Sequence, residues 1–171
     1  MSQPSARTTS FGPHEHSPLV PTTPAESGDW IGALRYYLAT LTALNLVWEF
    51  IQMPLYTIWR TGTWREIVFA AVHCTGGDVL IALSTLTLAL LLVGDRHWPR
   101  RRFTAVAGLT IVLGVGYTIF SEWLNIAVRV SWAYSNLMPV VPVFGFPIGL
   151  SPVAQWLVVP TIGFLFVHRR R

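Results

Sequence analysis

Residues 64–93 read WREIVFAAVHCTGGDVLIALSTLTLALLLV, and this stretch decides what kind of protein the chain is. After Arg65 and Glu66 at its start, it holds only His73 and Asp78 as ionisable groups short of Gly94, Cys74 aside. At about 1.5 Å per residue, thirty residues reach beyond the ~30 Å hydrocarbon core of a bilayer. Thr63-Trp64-Arg65-Glu66 fits a capping box, in which the Thr hydroxyl and the Glu carboxylate satisfy amides at a helix start. Gly94 then breaks the run before the polar stretch Asp95 to Arg102.

Three further runs flank this one. About 30–53 is apolar enough to span and stops before Pro54, with Asp29 as N-cap. About 103–130 contains Gly108, Gly114 and Gly116, small residues that let a neighbouring helix approach. About 152–168 begins at Pro152, a residue suited to a first helical turn, and carries Pro160 at its middle, where a kink is expected. The chain therefore reads as all-α: an integral membrane four-helix bundle, residues 29–171, with a loop at 55–62. Between the third and fourth runs lies a long Pro/Gly-rich segment, Ser131 to Ser151, expected to lie at the interface or to fold back over the bundle. Residues 1–28, rich in Pro, Ser and Thr, read as a disordered, dispensable cytoplasmic tail without the apolar core of a signal peptide.

Composition agrees. Of 171 residues 52% are apolar and 12% charged, about half the ~25% charge of soluble domains, and the mean hydropathy is +0.48. The formal charge of +4 does not point to nucleic acid, because all twelve basic residues are Arg and most sit just outside the apolar runs. With four spans, nine Arg fall on the side of the two termini and the 95–102 connection, and three (Arg60, Arg65, Arg129) on the other. The positive-inside rule then puts both ends in the cytoplasm. A single cysteine, Cys74, excludes an intramolecular disulfide and reads as a small buried hydrophobe.

Ionisable side chains inside a bilayer cost ~2.5–3.5 kcal/mol each on insertion scales and are functional candidates by default. Here they are Glu49, His73, Asp78 and Glu122, with Gln52, Asn125 and Asn45 as polar companions. Counted from the span ends, Glu49 lies ~6 Å, Glu122 ~12 Å and His73 ~13 Å deep on the non-cytoplasmic side, and Asp78 near the midplane. Asn45, Glu49 and Gln52 share one face of the first helix, and Thr118, Glu122, Asn125 and Arg129 one face of the third. His73 and Asp78 point about 140° apart. Convergence of Glu49, His73 and Glu122 on one site, edged by Gln52 and Asn125 and covered by 131–151, is the sharpest expectation. A metal, if one binds, would be held by Glu49, His73 and Glu122. The plain alternative is that these groups are interhelical hydrogen-bonding glue. Trp48 and Trp123, each beside a membrane Glu, are candidate walls of the site, the other Trp residues forming interfacial belts.

As a set, Trp48-Glu49-x-x-Gln52-x-Pro54-Leu55-Tyr56, His73-Cys74-Thr75-x-Gly77-Asp78, Ser121-Glu122-Trp123-x-Asn125 and Ser151-Pro152-x-x-Gln155-Trp156-Leu157 resemble a family of small uncharacterised bacterial inner-membrane proteins. The resemblance covers about residues 30–168. It implies a bacterial inner-membrane location and no particular chemistry. Three functional classes fit the polar residues: a site that binds a cation or relays protons, a membrane enzyme doing proton-transfer chemistry on a lipid or isoprenoid, and an accessory subunit packing on a partner membrane protein or on copies of itself. No GxSxG, phosphate loop or His-rich di-metal pattern singles out the enzyme.

Overall fold

A computed structural model describes residues 30–170. The expected tail, 1–28, and the Asp29 cap lie outside the described residues. Four helices are long and apolar enough to cross a membrane: α1 (Trp30–Gln52), α3 (Trp64–Val93), α4 (Phe103–Glu122, continued by a π turn, Trp123–Val128) and α5 (Leu150–His168). A 3-10 turn, Met53–Leu55, and a one-turn helix α2 (Ile58–Thr61) occupy the 55–62 loop. The main packing contacts join α1 to α3 and α5, and α4 to the same two, so the long helices form a square with α1 diagonal to α4 and α3 diagonal to α5.

The capping box forms as its residues predict. The Thr63 amide donates to Glu66 Oε2 at 2.7 Å, and the Glu66 amide to Thr63 Oγ1 at 3.4 Å. Gly94 closes α3 with its amide on the Leu90 carbonyl, 2.9 Å. Outward-facing side chains on the helices stay apolar: Val47, Ile51, Leu88, Leu91, Leu92 and Val112 are all exposed. A water-soluble bundle would cover so large an apolar surface. Four helices of this length and apolarity suggest a multi-pass membrane protein.

Each helix buries one stripe, and each stripe changes character along its length. On α1, Ala33, Tyr37 and Leu41 give way to Asn45, Glu49 and Gln52. On α4, Val106 and Thr110 give way to Thr118 and Glu122. The end carrying residues 94–102 is an apolar core of Tyr37, Leu41, Leu86, Val106, Phe164 and Val167. The opposite end is polar, and the candidate site lies there.

The structure corrects the sequence reading in four places. The third span does not run as one regular helix to residue 130: the α-helix stops at Glu122 and the π turn takes over. The last helix starts at Leu150, so Pro152 sits at its third position rather than its first. Of the span-three glycines only Gly114 meets a neighbour, the Trp156 ring; Gly108 and Gly116 face open space. Finally the chain is not all-α. Val140–Val143 (β1) and Phe146–Gly149 (β2) form an antiparallel hairpin.

That hairpin explains how a Pro-rich stretch can hold strands. Its turn is Phe144-Gly145, both at positive φ (50° and 84°), where glycine is free of strain. Val143 pairs with Phe146 beside the turn, which puts Pro142 and Pro147 opposite each other at the next position. In an antiparallel ladder that position exchanges no N–H bonds, so neither missing donor matters. The same alternation turns the Gly149 amide outward.

Candidate functional site

Asn45, Glu49 and Gln52 come to one place because i, i+4 and i+7 share a helix face, and that face of α1 meets α5 and α3. From α5 comes Gln155, only 2% exposed, and from α3 Asp78, 9% exposed. Gln155 Nε2 lies 3.0 Å from each of three acceptors: Asn45 Oδ1, Glu49 Oε1 and Asp78 Oδ2. Gln52 Nε2 donates to Glu49 Oε1 at 2.9 Å and to Gln155 Oε1 at 3.2 Å. Ser151 Oγ donates to Gln52 Oε1 at 2.8 Å and accepts from Trp48 Nε1 at 3.3 Å. The network thus crosses the square from Asp78 on α3 to Gln155 on α5, with Glu49 between them.

Donor accounting fixes the chemistry of this centre. An amide NH2 has two hydrogens, so Gln155 serves two of its three acceptors well at any moment. Because Glu49 Oε1 and Asp78 Oδ2 each lie 3.0 Å from that one nitrogen, the two carboxyls are within about 6 Å of each other, close enough for their charges to interact. Two ionised carboxylates that close in a buried site repel, which favours a single proton on the pair. Among the described residues no Arg or His belongs to this hydrogen-bonded group. The arrangement is a buried carboxyl pair bridged by one amide donor, with further amide dipoles around it.

A cleft of about 950 Å³ opens beside the pair, between α3 and α4. Glu49, Gln52, Asp78, Gln155 and Trp156 line its floor; Glu122, Asn125 and Arg129 line its α4 side. Glu122 accepts a short hydrogen bond from the Tyr134 hydroxyl, which itself accepts from the outward Gly149 amide at 2.8 Å. Tyr134 therefore ties the π-turn end of α4 to the hairpin. Burial, followed by its bond to Glu122, pushes the Tyr134 phenol above its ordinary range, so it stays a donor. Tyr56 is also pushed well up, by burial first and then by the charges of Glu122 and neighbouring acids. The loops carrying the two tyrosines are stitched together: Thr57 N to Ala133 O at 2.9 Å, Ser135 N to Leu55 O at 2.8 Å.

Among the expected site residues, the structure unites Glu49, Gln52 and Asp78 in one network. Glu122 lines the same cleft but bonds to Tyr134. Asn125 turns back on its own helix, donating to the Ser121 carbonyl at 2.9 Å. His73 does not join Glu49. It lines the same cleft from α3 but is exposed and stacks on Phe69, ring centroids 5.6 Å apart, because its helical angle turns it away from Asp78. Among the described residues no three His, Cys, Asp or Glu side chains are grouped to hold a metal, so the Glu49–His73–Glu122 set does not form. Nor do Trp48 and Trp123 wall the cleft; Trp132 and Trp156 do. The hairpin is no lid, since of residues 131–151 only Ser131 and Trp132 line the cleft.

Sequence reasoning left Gln155 out of the site, although it is the hub. The signal was present: a lone amide within an otherwise apolar run has no partner in lipid. Tyr134 carried no comparable signal.

Replacing Tyr134 by Phe removes one bond to a carboxylate and one from a backbone amide, a loss of roughly 1–3 kcal/mol of local stability. Hydrogen exchange at Gly149 should then accelerate about tenfold or more, while the Glu49 network stays intact. Unchanged protection at Gly149 would show that the tyrosine does not hold the hairpin. Comparison of the chain with family models, with curated proteins and with solved structures returns no match.

Proposed function

We propose that this is an integral protein of a bacterial inner membrane that binds and releases a proton at the Glu49–Asp78 pair, in the service of proton-linked transport. The observation that carries the reading is the pair of buried carboxyls that share the Gln155 amide donor at the floor of a cleft. A pair that shares one proton in a water-poor interior is a place where a proton is kept and exchanged. The nine-to-three Arg distribution supports four spans with both termini cytoplasmic, which puts the cleft mouth, near Arg129 and Trp132, at the periplasmic side. The sequence resemblance supports the choice of membrane.

Two measurements test this. Reporter fusions at the carboxyl terminus should read as cytoplasmic; a periplasmic signal would contradict the orientation. Acid–base cycling of purified protein in detergent should release one proton more from the wild type than from the Glu49→Gln/Asp78→Asn double variant. Equal release from the two would sink the proton-binding role.

A further inference from the structure

We propose that the cleft between α3 and α4 takes an amphiphilic amine: an apolar body against its walls and an N–H-bearing cationic head at Glu49, Asp78 and Thr118. The inference rests on the proton-binding reading of the pair and names what that proton is exchanged for.

Thr118 supplies the first argument. Thr75, Thr85 and Thr110, the other buried threonines of α3 and α4, each donate to the carbonyl four residues back, at 2.8 Å. Thr118 does not. It is 6% exposed, lines the cleft, and its hydroxyl has no hydrogen-bond partner. A buried hydroxyl without a partner costs about 1–3 kcal/mol, so at the cleft wall Thr118 offers an acceptor whose cost a polar group entering the cleft would relieve.

Charge gives the sign of that group. Glu49, Glu66, Asp78 and Glu122 line the cleft, against Arg129 and His73 among the described residues. Arg129 lies beyond the π turn, toward the mouth. A cation is therefore favoured over an anion. The N–H requirement follows because carboxylate oxygens accept, and a hydroxyl oxygen can accept as well.

The walls give the body. Phe69, Leu80, Ile81, Tyr117 and Trp156 line the cleft. Phe69 is 68% and Leu80 66% exposed, so the cleft opens sideways between α3 and α4 toward the bilayer. A volume of about 950 Å³ suits a small organic molecule, and aromatic faces attract cations. The exchange balances simply. The ammonium enters with its charge, the pair gives its proton to water, and no covalent bond to carbon forms or breaks.

Isothermal titration of the purified, detergent-solubilised protein tests this with three probes: 4-phenylbutylamine, its trimethylammonium analogue and 4-phenylbutanol. The amine should bind about tenfold or more tightly than either of the others, a difference of about one charge-assisted hydrogen bond. Thr118→Val should remove most of that advantage and leave the alcohol unchanged. Gly77 lines the cleft with nothing within 4 Å of an added Cβ and takes no part in the network. Gly77→Leu should therefore abolish amine binding while the ligand-free protein still releases its extra proton on acid–base cycling. Equal affinity for amine and alcohol, or an amine affinity indifferent to Thr118→Val, would overturn the proposal. Because proton release is recorded in the same ligand-free preparation, a pair that carries no proton and a wrongly assigned ligand give different results.

Discussion

Gln155→Leu is expected to be among the most destabilising single changes in this protein, lowering stability by on the order of 3 kcal/mol, because it strips the shared donor from Asn45, Glu49 and Asp78 at once. Truncating one member of a buried polar network leaves the others without partners in a medium that offers none. Replacing the acids together with the amide removes the orphaned groups. The triple variant Glu49→Leu/Asp78→Leu/Gln155→Leu should therefore recover most of the loss in thermal unfolding while abolishing proton exchange. If the triple variant is as unstable as Gln155→Leu, packing at Gln155 rather than hydrogen bonding carries the effect.

Gly114→Val is expected to do comparable damage by a different route. The Trp156 ring lies where a Cβ on Gly114 would sit, so any side chain there must displace it. Overpacking of this kind costs ~1–3 kcal/mol. Gly116→Val is the matched control, since a Cβ at Gly116 meets nothing within 4 Å. A large destabilisation by Gly116→Val, or none by Gly114→Val, would refute the close approach of α4 and α5 as the cause.

The four long helices were legible because bilayer thickness imposes a run length that polar residues rarely interrupt. The α3 start was legible because Thr63 and Glu66 satisfy each other's amides locally, with no help from the rest of the fold. The hairpin was not. Pro142 and Pro147 argue against strands when each is taken alone, and become harmless only once paired across the ladder. The π turn at 123–128 is likewise invisible to residue pattern.

Depth and facing located half of the candidate site. The α1 stripe predicted Asn45, Glu49 and Gln52 together, and burial bore this out. Matched depth misled for His73, because depth says nothing about azimuth, and the angle between His73 and Asp78 allows only one of them to face the bundle centre. Attention to charge also passed over Gln155. In a low-dielectric interior an amide with two donors and one acceptor can organise a site as effectively as an ion.

The central claim is that Glu49 and Asp78 hold one proton between them. Infrared spectroscopy of the purified protein at neutral pH tests it most directly, through the C=O stretch of a protonated carboxyl group. The wild type should show one such band from a buried group, slow to shift in heavy water, and both Glu49→Gln and Asp78→Asn should lose it, since each leaves the surviving carboxylate to neighbouring amide donors. A wild-type spectrum without the band, or a band that survives either substitution unchanged, would contradict the shared proton.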